Sequence, residues 1–322
     1  MKDLILGVEI GGTKLQLAIG TAGGRILDLW QGKVDTASGG EGIRNWLEQQ
    51  VPEFLANQKP NLGKIKAIGV GFGGPINSKT GHVLESIQVS GWEDFPLKDW
   101  FSLQFGLPTA VQNDSNAAAW GEYRCGFGRG SQHFFYTNIG SGIGGGFIFD
   151  GHLFDGQGFG AGEFGHTFVP DWTNDSQNAQ AKEIENLCSG WAIENRLRTT
   201  GYVPDSSILF QMVNGDTSKI TTKVLGIAAE QGDAFSILEI DQVAHSVGIG
   251  LANVLSLTGV ERIAIGGGVS NLGYIFIEPI RRYTDRYAFI SNKGKYQIER
   301  CQLGDRIVLV GAILIASDIF KI

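Results

Sequence analysis

Glycine gathers in clusters along this chain, and each cluster follows or divides strand-like apolar runs. Gly11-Gly12 separates the apolar stretch 4–10 from the alternating stretch 14–19, and the glycine-rich turn 140–145 separates the strand-like 133–139 from the return strand 146–149. A third cluster, Gly266-Gly-Gly268, comes directly after the apolar run 262–265. Alternating residues around a glycine turn read as a β-hairpin. The 48 glycines are about twice the ordinary share, without low complexity. Such clustering means backbone at positive φ, or backbone that must come close to a ligand. A turn-rich sheet protein would account for part of it.

The rest of the pattern is α/β. Apolar positions Ile43, Trp46, Leu47, Phe54 and Leu55 have helical spacing over 41–57, with Pro52 as a candidate break. A strand at 65–70 runs into the glycine loop 71–75, which contains Gly74. A short strand at 108–111 ends at Asn113-Asp114, and a helix begins around Ala117. The second hairpin is followed by a helix around 237–257 and the strand 262–265, and the chain closes on an apolar helix over 308–320. Two glycine-turned hairpins, each followed by alternating helices and strands, predict a duplicated α/β unit. The expected division is 1–115 and 116–305, with 306–322 packing back on the first part.

Composition removes several classes of function. A chain of 322 residues with 42% hydrophobic and 18% charged side chains can bury a sizeable core. A net charge of -7 and no Lys/Arg run argue against binding nucleic acid by counterion release. Cys125, Cys188 and Cys301 are too few and too scattered for a disulfide framework, and a reducing compartment fits them. No apolar stretch is long enough to span a bilayer and residues 1–7 carry no leader, so the expectation is a cytoplasmic protein without membrane partners.

Phosphates need several backbone N–H donors at close range, and glycine turns supply them because no Cβ intervenes. Gly11-Gly12-Thr13, with Lys14 beside it, fits one such cradle, and Gly140-Ser141-Gly142 fits a second. Asp114 sits between a strand and a helix, a place equally suited to a helix cap and to a general base. Glu163 and His166, three apart in a glycine-rich loop, suit the recognition of paired hydroxyls.

At Glu9-Ile-Gly-Gly-Thr-Lys14 the chain resembles the first phosphate loop of the sugar kinase/actin superfamily of ATPases. Asn113-Asp-Ser-Asn-Ala-Ala-Ala119, Ile139-Gly-Ser-Gly-Ile-Gly-Gly-Gly146 and Ala161-Gly-Glu-Phe-Gly-His166 resemble the ROK family of sugar kinases and repressors, in family order over nearly the whole chain. The resemblance implies duplicated actin-like (ribonuclease H-like) α/β domains, a mixed five-stranded sheet in each, and a cleft between them. It implies ATP at Gly11, Gly12, Thr13, Lys14, Gly140, Ser141, Gly142, Gly267 and Gly268, with Glu9 orienting Mg²⁺ through water. A sugar would meet Gly74, Gln88, Asn113, Glu163, His166 and Glu185, with Asp114 as catalytic base. The implied activity is ATP-dependent phosphorylation of a hexose or N-acetylhexosamine, glucokinase-like at the 6-hydroxyl, in a homodimer. The alternatives are a non-catalytic sugar sensor and another ATPase of the superfamily. Family repressors carry a helix-turn-helix ahead of the first strand, for which a strand starting at residue 4 leaves no room. The Asn-Asp and Glu-Phe-Gly-His motifs oppose the other ATPases.

Three departures stand out. Most family members bind zinc through the histidine of the Gly-His pair and three cysteines shortly after it. Residues 167–183 contain no cysteine, so no structural zinc is expected and the loop must be held by packing. Glu9 stands where an aspartate is usual, and Gln88 where an asparagine is usual. The Glu9 substitution resembles the fructokinase branch, whereas Ala161-Gly162-Glu163 resembles the glucokinase and N-acetylhexosamine kinase branches. The sugar stays open between them.

Overall fold

The computed structural model describes residues 3–12, 14–33, 35–57, 63–84, 89–158, 162–173 and 180–322. In chain order the elements are β1 (Asp3–Ile10), β2 (Lys14–Thr21), β3 (Ile26–Lys33), α1 (Gly39–Ala56), β4 (Lys64–Phe72), β5 (Ile76–Asn77), β6 (His82–Val83), α2 (Leu97–Phe105), β7 (Thr109–Asn113) and α3 (Asp114–Cys125). There follow β8 (Phe134–Ile139), β9 (Ile143–Phe149), β10 (His152–Phe154), β11 (Phe168–Pro170), β12 (Ala181–Glu183), α4 (Ile184–Cys188), α5 (Gly190–Arg198), α6 (Ile208–Met212) and α7 (Thr222–Glu230). The chain ends with α8 (Ala234–Thr258), β13 (Arg262–Gly266), α9 (Tyr274–Tyr287), β14 (Gln297–Arg300) and α10 (Ile307–Phe320).

Two five-stranded sheets have the same plan, in the orders β3-β2-β1-β4-β7 and β10-β9-β8-β13-β14. In the first, β1–β2–β3 pair antiparallel and β1–β4–β7 parallel; in the second, β9–β10 pair antiparallel and β8–β13–β14 parallel. The duplicated α/β plan expected from the two hairpins is therefore present. The chain divides into two compact units, one of residues 1–130, 146–162 and 302–322, the other of 131–145 and 163–301.

In the first unit the sheet is covered on both faces because its strands are apolar on both. Leu6, Val8, Leu17 and Ile68 pack with Ile43, Leu47, Val51 and Phe54 of α1 and Phe101 of α2. Ile5, Ala18 and Ala67 pack with Leu309, Ile313 and Ala316 of α10. Small residues set the closeness of α10. A Cβ at Gly69 would fall on the Ala312 carbonyl, and one at Gly121 of α3 would stand 2.8 Å from the Ile307 carbonyl oxygen.

Two local readings change. α1 runs unbroken through Pro52. The proline lies just before the last turn, where its missing N–H forfeits one helical bond, while Val51 and Phe54 on either side are buried and hold the helix in place. The return strand of the second hairpin starts at Ile143 and not at Gly146, so the turn is confined to Gly140–Gly142. Among the described residues no helix is long and apolar enough to cross a membrane.

Candidate active site

In the first unit, β1 delivers Glu9 and the chain reverses at Gly11 and Gly12, with the Gly11 N–H donating to the Lys14 carbonyl at 3.0 Å. The loop after β4 lies against this turn, since the Gly73 N–H donates to the Ile10 carbonyl at 2.8 Å. β7 pairs with β4 and ends at Asn113, so the start of α3 emerges beside the same loop.

The cap of α3 is Asn113. Its Oδ1 accepts from the Ser115 N–H at 2.9 Å and the Asn116 N–H at 3.1 Å, and its Nδ2 donates to the Gly74 carbonyl at 3.1 Å. The capping role open to Asp114 is thus filled by its neighbour. Asp114 Oδ1 accepts from the Ser115 N–H at 2.7 Å. A Cβ on Gly73 would stand 3.3 Å from Asp114 Oδ2 and 3.4 Å from the Gly11 Cα. The carboxylate, the first glycine turn and the 71–74 loop therefore converge, and only glycine keeps the space between them open.

Glu9 is buried beside this group. Burial pushes its carboxyl up to about 7, the Lys14 ammonium pulls against that rise, and the negative charge of Asp114 adds to it. Lys14 Nζ lies 3.7 Å from Glu9 Oε1, while Oε2 is buried without a hydrogen-bond partner. An orphaned carboxylate oxygen near a second carboxylate suits a hydrated divalent cation, so the residues fit Mg²⁺.

In the second unit, Gly140 donates to the Gly142 carbonyl at 2.9 Å, and the Ile143 N–H donates to Glu185 Oε2 at 2.6 Å. Ser141 at the tip is exposed. β8 and β13 are parallel neighbours, so the glycines after β13 lie beside those after β8. Gly267 has a φ of +83°, and a Cβ there would fall on the Ile139 carbonyl, which explains why glycine is needed. Gly268 is exposed and has open space where a Cβ would stand.

Glu163 and His166 flank one 3-10 turn, with the His166 N–H donating to the Glu163 carbonyl at 3.1 Å and both side chains exposed. Phe164 anchors the turn edge-on to Phe135, ring centroids 5.6 Å apart. A Cβ on Gly165 would fall on the Ile143 carbonyl and stand 3.2 Å from the Glu185 Cβ. Glu163, His166, Glu185 and the second glycine turn are thus gathered around Gly165. Thr13 and Gln88 lie outside the described residues.

The structure adds residues to which the sequence reading gave no role. Asn116 Nδ2 donates to Asp155 Oδ1 at 3.0 Å, and Ser78 Oγ donates to Asp155 Oδ2. This ties the first turn of α3 to the loop after β10. Asn116, three residues after the cap, was a readable hint; nothing near Asp155 marked it. All three cysteines are free thiols, and burial pushes Cys188 up to about 12. Among the described residues no three His, Cys, Asp or Glu side chains are grouped to hold a metal.

Known proteins are similar to this chain over nearly its whole length. A glucokinase of Halalkalibacterium halodurans is 31% identical over 309 residues, covering 95% of this chain and 92% of the relative. The crystal structure of a ROK family glucokinase from Streptomyces griseus, in complex with glucose and AMPPNP, is similar with a TM-score of 0.81 at 31% identity, over 98% of this chain and 99% of that one. A xylose repressor of Caldicellulosiruptor bescii is 27% identical over 98% of this chain and 79% of its own length. The ROK family pattern matches residues 5–319, and this chain, with its paired sheets and glycine turns, belongs to the ROK family.

Proposed function

We propose that the protein transfers the terminal phosphoryl group of Mg-ATP to the 6-hydroxyl of a hexose or N-acetylhexosamine, with Asp114 as general base. The observation that carries this reading is the placement of Asp114 Oδ2 beside Gly73 and the first glycine turn. Asn113 caps α3 through the Ser115 and Asn116 N–H groups, and Asp114 shares only the Ser115 N–H through Oδ1, which leaves Oδ2 directed at the glycine turn. The glucokinase relatives supply the substrate class.

In this reading the backbone of Gly11, Gly12, Gly140 and Gly142 binds phosphate, with Thr13, Lys14 and Ser141 as further donors. Gly267 and Gly268 supply the flat backbone on which the nucleoside rests. Mg²⁺ would be oriented by Glu9 through water, and when bound it neutralises charge on the phosphates. Gly74, Gln88, Asn113, Glu163, His166 and Glu185 hold the sugar. Asp114 accepts the proton of the attacking hydroxyl as its oxygen bonds to the γ-phosphorus and the bond to ADP breaks. Alignment supplies most of the rate and proton removal about two to four orders of magnitude.

A coupled ADP-release assay with Mg-ATP over glucose, fructose, mannose, N-acetylglucosamine and N-acetylmannosamine tests this. Sugar-dependent turnover with at least one of them is the expected result. Binding of a sugar without turnover would replace the kinase with a sensor.

A further inference from the structure

Arg196 of α5 and Glu239 of α8 form an ion pair that solvent hardly reaches, their side chains 11% and 3% exposed. Arg196 Nε donates to Glu239 Oε1 at 2.7 Å and Nη2 lies 2.6 Å from the same oxygen, while the Tyr202 hydroxyl donates to Oε2 at 2.8 Å. Two further contacts involve the guanidinium. Nη1 donates to the Leu187 carbonyl at 3.1 Å, and the face of Trp172 lies over the guanidinium carbon, 4.7 Å from carbon to ring centroid. The indole Nε1 in turn donates to Ser246 Oγ at 3.0 Å. Glu239 and Ser246 are two turns apart on α8 and so share a face, which closes the circuit.

Desolvating two charges costs several kcal/mol each, and a well-packed apolar pair often gives equal or greater stability. The pair is better understood by what it joins. Leu187 lies in α4, two residues after Glu185. Trp172 follows β11, which begins two residues after His166. β11 and β12 pair antiparallel, and His166 Nδ1 lies 3.5 Å from Glu183 Oε1 at the end of β12. Arg196 thereby touches α4, which carries Glu185, and through Trp172 the segment after β11, the strand that His166 precedes.

We propose that Arg196 and Trp172 form a clamp that positions Glu185 and His166 for the sugar, a cross-link built from side chains in a loop without cysteine. The clamp rests on the sugar-binding reading for its purpose, and on the contacts of Arg196 and Trp172 for its existence. Both residues act through others and touch no substrate. The planar guanidinium is suited to this because one fork reaches a carboxylate and a carbonyl while its face stays available to an aromatic ring.

Arg196→Met would leave Glu239 buried without its partner and risks unfolding. Trp172→Leu leaves the ion pair in place and is the decisive variant, with Trp172→Phe as the conservative one. Amide hydrogen exchange is followed over 163–173 and 181–189, alongside steady-state kinetics with the best sugar and Mg-ATP. Trp172→Leu is expected to speed exchange in both segments and raise the sugar KM by about 10-fold, the size of one desolvated cation–π contact with its hydrogen bond. Its kcat stays within about 3-fold of wild type, and Trp172→Phe recovers most of the loss because the ring face remains. Unchanged exchange and sugar KM in Trp172→Leu would overturn the clamp. Uniformly faster exchange across the whole chain would reduce it to ordinary stability, and also overturn it. A wild type that phosphorylates no sugar removes the purpose, while the exchange data still decide whether the two segments are held.

Discussion

Glu185 accepts a hydrogen bond from the backbone N–H of Ile143 at 2.6 Å, so a carboxylate expected to meet the sugar also fixes the second glycine turn. A Cβ on Gly142 would stand 2.7 Å from the same oxygen. Glu185→Ala would release the turn and remove the ligand together. A charge-assisted bond of this kind is worth about 1.5–3 kcal/mol, which converts to about 10- to 100-fold. The KM for Mg-ATP is expected to rise by that factor along with the KM for sugar. A change confined to the sugar would mean that the bond to Ile143 does no positioning.

Glu9 gives a pH dependence with a definite sign. Burial raises its carboxyl from 4.5 to about 7 in the folded protein, so the folded state holds a proton that the unfolded state has lost between those values. The resulting stability is fully present below the unfolded value of 4.5 and is lost as pH rises through about 7. It amounts to about 3 kcal/mol. Urea unfolding at pH 5 and pH 8, without nucleotide or Mg²⁺, measures it. Glu9→Gln should flatten the curve and weaken Mg-ATP binding. Parallel curves for wild type and variant would contradict the assignment.

Glu122 carries no proposed chemistry, yet it is fully buried. Its carboxylate accepts from the N–H groups of Phe127 at 2.9 Å, Gln302 at 2.7 Å and Leu303 at 3.2 Å. It therefore ties the end of α3 to the chain leading into α10. Glu122→Ala strands these donors and should cost about 3–5 kcal/mol of unfolding free energy. A loss below about 1 kcal/mol in urea titration would show that water or other acceptors replace it.

The site was readable where chemistry demands particular residues next to one another. Glu9 to Lys14 showed a glycine turn between apolar strands, and the structure closes it with one bond from Gly11 to Lys14. Gly266 to Gly268 showed only a cluster; the crowding of Gly267 against Ile139 comes from the parallel pairing of β8 with β13, which no local pattern reveals. Asp114 could be placed but its role could not be separated from capping, because that depends on which of two adjacent side chains turns back on the helix. Arg196, Glu239 and Trp172 were invisible for the same reason. They are ordinary residues far apart in sequence, brought together from α5, α8 and the segment after β11 by the tertiary fold. Pro52 misled because propensity is local, whereas the buried face of α1 is held by the sheet.

The central claim concerns Asp114. Pre-steady-state and steady-state rates of wild type and Asp114→Asn, with saturating Mg-ATP and the preferred sugar, test it most directly. The account predicts that kcat falls by about 10²- to 10⁴-fold while nucleotide affinity stays within about 3-fold, because the amide keeps the shape and loses the base. A variant that retains wild-type kcat would contradict it.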